Sequence, residues 1–248
     1  METIKLSVII PGYNEAKNLN KGVLDEVYDF LKNVNFSWEV LIVDDGSSDG
    51  SVSIIKEQIK NKAGFKLIEN PHGGKAITVI TGLLAARGEV ALFTDLDQAT
   101  PITEINKFIP KFEEGFDIVI GSRAGRRGAP LMRKLSAYGF ALARSILLGL
   151  PFKDTQCGFK AFNKTSVEAI FPKIKSEWGV LHTKGGAVNA GFDVEILYFA
   201  KKKGFKIAEV PVEWNYVGTE RVQIVKDSAA AIYDMIRIRV NDLKGKYG

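Results

Sequence analysis

The sequence predicts an α/β fold with a mostly parallel, Rossmann-like sheet flanked by helices, built as a single domain. Three observations carry that prediction. Short apolar runs alternate with segments of helical periodicity. The runs are nearly continuous in apolar residues, as in strands covered on both faces. A polar cluster stands at the end of each of the first four runs, the edge at which parallel sheets bind ligands.

The elements follow in order. Leu6–Ile10 is the first strand, stopped by Pro11-Gly12 and followed by Tyr13-Asn14-Glu15. Leu19, Val23, Leu24, Val27 and Leu31 recur at helical spacing. Trp38–Val43 is the second strand and runs into Asp44-Asp45-Gly46-Ser47-Ser48-Asp49-Gly50. Val52, Ile55 and Ile59 mark a helix, Phe65–Ile68 a third strand, and Gly73-Gly74-Lys75 lead into an apolar helix over Ala76–Ala86. Val90–Thr94 is the fourth strand, Pro101 and Thr103 open a helix, and Asp117–Gly121 is the fifth strand.

The second half is less regular. Gly121–Lys134 is basic, with Arg123, Arg126, Arg127, Arg133 and Lys134 and no acid. Leu135–Leu150 reads as an apolar helix interrupted by Arg144. Asp154–Phe159 leads into a short strand, Thr165–Phe171 and Phe192–Lys203 are helices, and Lys206–Trp214 is a strand. Gly185–Gly191 and Asn215–Arg221 read as loops. The last helix carries Val225, Ala229, Ile232, Ile236, Val240 and Leu243 on one face, expected to pack mostly against the core. No repeat, linker or low-complexity segment divides residues 1–248.

Composition narrows the function classes. Hydrophobic residues at 46% and charged residues at 25% are ordinary globular usage, so a sizeable core is available. A net charge of +5 is too small to imply nucleic acid. The one cysteine, Cys157, excludes an internal disulfide framework and fits a reducing, cytoplasmic compartment. No signal-peptide pattern opens the chain, and the longest apolar runs fall short of the ~20 residues that span a bilayer. The absent Gly-x-Gly-x-x-Gly disfavours a dinucleotide site, and Gly74-Lys75-Ala76 is not a Walker motif. With His72 and His182 the only histidines, zinc ligation is not expected, and both read as loop residues.

What remains is a carboxylate-rich rim facing an arginine-rich segment. Asp95 and Asp97 end the fourth strand. In an extended backbone residues i and i+2 point to one side, so the two carboxylates can face one hard divalent cation. A lone Asp-x-Asp is more often a helix cap beside a solvated carboxylate. Two earlier strands that end in similar chemistry shift the balance toward a shared site. A cation bridging a nucleoside diphosphate would let carboxylates and arginines serve one ligand. By itself, Arg123–Lys134 reads first as a solvated basic loop.

Ser7–Glu15 (SVIIPGYNE), Val43–Gly50 (VDDGSSDG) and the spacing to Asp95-Leu96-Asp97 resemble the opening of the family 2 glycosyltransferases of GT-A fold. Gly121-Ser122-Arg123, Asp154–Lys160 (DTQCGFK), Gly191–Glu195 (GFDVE) and Ile236–Arg239 are similar to the dolichyl-phosphate glucosyltransferase and dolichyl-phosphate mannose synthase branch. The resemblance implies a nucleotide-binding half over residues 5–121 and an acceptor-binding half over 122–248. It implies that Pro11, Tyr13, Glu15 and Asp44 hold the uracil or ribose of a UDP-sugar while Asp45 supports the loop. Lys75 would lie near base and ribose, although Ala76 replaces the family's second glycine. Asp95 would approach ribose or metal, and Asp97 would bind Mg²⁺ or Mn²⁺.

The implied reaction is inverting transfer of a hexose, with glucose favoured, from UDP-glucose to a polyprenyl phosphate such as dolichyl or undecaprenyl phosphate. Arg123 and Arg133 are candidates for the acceptor phosphate, and Arg221 would close over either phosphate group. Asp154 would orient the acceptor or take a proton, with Asp193 its rival as base. Cys157 reads as a small buried residue. Leu135–Phe152 and the terminal helix are candidates for contact with a membrane surface, which would make the protein peripheral. A membrane-protein partner or a homo-oligomer stands open. The rival readings are a GDP-mannose-dependent synthase, a family 2 enzyme acting on a soluble or polysaccharide hydroxyl, a nucleotidyltransferase, and a non-enzymatic basic module that binds anions.

Overall fold

The computed structural model describes residues 3–123, 131–181, 191–215 and 224–247, with the backbone alone at 131–137, 177–181 and 224–229. Seven strands form one sheet: β1 (Leu6–Gly12), β2 (Trp38–Asp44), β3 (Phe65–Glu69), β4 (Val90–Thr94), β5 (Ile118–Arg123), β6 (Phe159–Asn163) and β7 (Ile207–Val212). Their order is β3-β2-β1-β4-β6-β5-β7. All neighbours are parallel except β6, which runs antiparallel to both β4 and β5. That reversal brings the start of β6 beside the end of β4, with Thr94 opposite Phe159.

Helices cover both faces, so two apolar cores form. On one face α4 (Lys75–Ala85), α7 (Lys164–Leu181), α8 (Gly191–Lys202) and α9 (Ile224–Leu243) pack around Ile9, Phe93 and Phe162. On the other, α2 (Val23–Leu31), α3 (Ser51–Ile59) and the 3₁₀ turn Ile102–Lys107 enclose Val8, Ile42 and Phe159. The predicted helix through Leu19–Leu31 is two pieces, α1 (Ala16–Leu19) and α2. Gly22, at φ 85°, breaks it in a left-handed conformation that glycine adopts without penalty. The helix opened by Pro101 is the 3₁₀ turn followed by α5 (Ile109–Glu113).

The terminal helix corrects one expectation. Ile232, Ile236, Val240 and Leu243 are 40–77% exposed, while Ala231, Met235 and Ile238 face the core. An apolar stripe does not state which side meets protein when the opposite face is apolar too. α9 packs against α6 (Leu131–Leu148), whose Tyr138, Leu142 and Ile146 are also exposed. Among the described residues, no helix is long and apolar enough to cross a membrane.

Candidate active site

The loops after β1 and β2 are laced together by short polar side chains. Asn14 N–H donates to Ser47 Oγ, and Asn14 Oδ1 accepts from Ser48 N–H, both at 2.9 Å. Glu15 N–H donates to Ser51 Oγ at 2.9 Å and Ala16 N–H to Asp49 Oδ2 at 3.1 Å. Asn14 holds φ 55°, a left-handed conformation that asparagine tolerates better than most residues. The Asp44-to-Gly50 run therefore serves mainly to shape the rim. Asp44 is buried, and its Oδ2 accepts from Gly46 and Ser47 N–H at 3.0 and 2.9 Å. Its Oδ1 is buried without a hydrogen-bond partner, a spare acceptor. Asp45 takes the supporting role expected of it, accepting from Gly73 and Gly74 N–H at 2.8 and 2.9 Å.

A cleft of about 270 Å³ opens between these loops and the end of β4. Pro11, Tyr13, Glu15, Lys75, Asp95 and Asp97 all line it. His72 lines it too, stacked on Tyr13 with ring centroids 4.4 Å apart and its Nδ1 2.9 Å from Asp45 Oδ2. Sequence reasoning missed this platform; the only available signal was an aromatic residue after β1 and a histidine after β3, at neighbouring strand ends.

Asp95 and Asp97 both line this cleft, though not by strand alternation. β4 ends at Thr94, and Asp95–Asp97 form a turn in which Gln98 N–H donates to Asp95 O at 3.2 Å. Leu96, between them in sequence, is buried. Lys75 pairs with Asp95 Oδ1 at 2.5 Å, so its ammonium sits at the carboxylates. Burial disfavours that ammonium, but Asp95, Asp193 and Asp97 outweigh it and hold its pKa above the ordinary value. Burial and then the charge of Asp95 push Asp97 up, against an Ala99 N–H bond and the field of Lys75. The surroundings of Asp97 thus disfavour its charged form. No group of three or more His, Cys, Asp or Glu that could enclose a metal occurs among the described residues. Two carboxylates on an open cleft fit a hard cation that takes its remaining ligands from substrate oxygens.

A second, smaller cavity of about 50 Å³ lies on the other side of Asp95, lined by Thr94, Thr100, Arg123, Gln156, Gly158 and Trp214. Arg123 Nε and Nη2 donate to the two oxygens of Asp154 at 2.6 and 2.8 Å. Burial works against its charge, yet the Asp154 bonds keep the Arg123 pKa above its usual value. The guanidinium also lies 5.6 Å from the Trp214 ring centroid. Asp193 Oδ1 pairs with the fully buried Lys160 at 2.7 Å. Cys157 is buried, as expected. Arg133 lies on α6 with its side chain outside the described residues, and Arg221, His182, Arg126 and Arg127 lie outside them altogether.

The comparisons with known proteins agree with this architecture. The model of glycosyl transferase family 2 matches residues 7–171. The dolichyl-phosphate beta-glucosyltransferases of Dictyostelium discoideum and Saccharomyces cerevisiae are each 34% identical, the alignment covering 99% of this chain and 77% of each relative. Among solved structures, glucosyl-3-phosphoglycerate synthase from Mycobacterium tuberculosis, in complex with Mn²⁺, UDP and glucosyl-3-phosphoglycerate, superimposes with a TM-score of 0.63 at 15% identity, over 95% of this chain and 80% of that one. A mannosyltransferase from Pyrobaculum calidifontis in complex with GDP-Man and Mn²⁺ gives 0.57 at 18% identity, over 97% and 74%. The chain is a glycosyltransferase of GT-A fold and belongs to glycosyl transferase family 2, in the branch that resembles the dolichyl-phosphate glucosyltransferases.

Proposed function

We propose that the protein transfers glucose from UDP-glucose, with inversion, to the phosphate of a polyprenyl lipid. The observation that carries this reading is the meeting of two cavities at Asp95. The acidic cleft lies on one side and the cavity of Arg123 on the other. The relatives named dolichyl-phosphate beta-glucosyltransferase support glucose and a dolichyl-type acceptor.

In this reading Tyr13, backed by His72, stacks on the base, and the spare Asp44 oxygen accepts the imide N–H of uracil. Pro11 and Glu15 shape the ribose side. Asp95 and Asp97 would hold Mg²⁺ or Mn²⁺, which would neutralise the leaving diphosphate. Lys75 adds a positive charge on the same side. An acceptor phosphomonoester, with its second pKa near ~6, is already an anionic nucleophile at neutral pH. Its oxygen bonds to the anomeric carbon as the bond from that carbon to the diphosphate breaks. No strong base is required, which suits the commitment of both Asp154 oxygens to Arg123 and of Asp193 Oδ1 to Lys160. Asp154 orients Arg123, and Arg123, with Arg133 and Arg221, neutralises the acceptor phosphate. The exposed apolar side chains of α6 and α9 support a peripheral position on a membrane surface, where the lipid is met.

Calorimetry of UDP binding with and without Mn²⁺ tests the donor half. Binding should strengthen with Mn²⁺ and lose that gain in Asp97→Ala; indifference to both would overturn the enzyme site. A panel of UDP- and GDP-sugars with a polyprenyl phosphate tests the rest. Transfer from GDP-mannose would replace the donor, and transfer only to a soluble hydroxyl would remove the lipid acceptor and raise Asp193 as base.

A further inference from the structure

Asp95 borders both cavities, so its carboxylate must be held accurately, and the wall behind it is Gly158. Asp95 N–H donates to Gly158 O at 3.2 Å where β4 meets the approach to β6. A Cβ on Gly158 would fall 1.9 Å from Asp95 Oδ2, 2.5 Å from its Cγ and 2.8 Å from its Oδ1. All three atoms of the carboxylate thus occupy the space that any other residue's side chain would fill. Gly158 is absent from the glycines of positive φ, so its backbone conformation is open to other residues. Glycine here serves room rather than freedom. The strip has little scope to retreat. Cys157 and Phe159 on either side are 1% and 0% exposed, and Cys157 Sγ lies 3.0 Å from where a Cβ on Gly121 would stand. The same carboxylate is held by Lys75, whose Nζ donates to Oδ1 at 2.5 Å.

We propose that Gly158 is a positioning residue for the cation site: by lacking a side chain it seats the Asp95 carboxylate against the backbone that leads into β6. The inference rests on the reading of Asp95 and Asp97 as the cation carboxylates. It assigns the second half of the chain a part in donor binding, because the Asp154–Lys160 strip that orients Arg123 through Asp154 also positions Asp95 through Gly158.

The test is UDP affinity by calorimetry, with and without Mn²⁺, and the thermal midpoint, for the full chain and for Gly158→Ala, Asp95→Ala and the double variant. Gly158→Ala should weaken Mn²⁺-supported UDP binding by about tenfold or more, the scale of lost support behind a metal ligand. It should leave metal-free UDP binding unchanged. In the Asp95→Ala background the same substitution should cost nothing further. If Gly158→Ala alone fails to fold, the double variant should fold and melt like Asp95→Ala, because the colliding group is gone. Wild-type affinity in Gly158→Ala with Mn²⁺, equal losses with and without metal, or a double variant that is also unfolded would each overturn the inference. A wild-type protein whose UDP binding ignores Mn²⁺ would instead sink the cation site itself, and this inference with it.

Discussion

In the proposed function the Arg123–Asp154 pair would tie stability to acceptor binding, and a double-mutant cycle can separate the two. The side chains are 15% and 5% exposed and share two short bonds, with Arg123 N–H donating a third to Asp154 Oδ2 at 3.2 Å. Removing one member of a buried pair strands the other charge and costs about 3–5 kcal/mol. Asp154→Asn should therefore lower the thermal midpoint by roughly 6–20 °C, at about 2–4 °C per kcal/mol for a chain of this size. Arg123→Met should do similar harm, because the Asp154 charge then loses both guanidinium bonds. The double variant removes both charges and should be more stable than the sum of single losses predicts, by about 2–3 kcal/mol. Transfer behaves differently. The stable double variant should lose transfer to a polyprenyl phosphate at least as fully as Arg123→Met while binding UDP normally. The assays are thermal unfolding by circular dichroism, UDP calorimetry and radiolabelled glucose transfer. Additive stability losses, or a double variant that transfers at the wild-type rate, would refute the reasoning.

Two further outcomes follow from other buried groups. Glu39 is buried at the opposite end of the sheet and accepts from Ser7 Oγ at 2.8 Å and from Arg87 Nε and Nη2 at 2.9 and 2.6 Å. Burial raises its pKa, but the Arg87 and Ser7 bonds outweigh burial and hold it below the ordinary carboxylate value. Its stabilisation is present above that ordinary value and is lost as pH falls through the lower folded one. Glu39→Gln should cost about 1–3 kcal/mol near neutral pH, since Arg87 is half exposed and screened, and should flatten the acid limb of a stability-versus-pH curve; an unchanged limb would count against it. The Cys157 thiol is pushed up to about 11, chiefly by burial. The folded protein should resist alkylation at pH 8 and label only in denaturant; rapid labelling of the native chain would place the thiol at the surface.

Much of the rim was legible before any coordinates. Parallel α/β alternation puts strand ends on one edge, so Tyr13, Asp44, Lys75 and Asp95 had to share it. Their side chains were less legible. Lys75, expected near base and ribose, reaches Asp95, and Asp95 and Asp97 reach their shared cleft from a turn rather than an extended strand.

Local pattern determined the elements, because periodicity and turn chemistry act over a few residues. It also determined the acidic rim, because topology follows from that alternation. Only the tertiary structure decided what crosses the sheet: antiparallel β6 seated between β4 and β5, Gly158 set behind Asp95 from 63 residues away, Asp154 locked onto Arg123, and the outward apolar face of α9. Those contacts join distant segments, and no period in one segment records which backbone will lie against it.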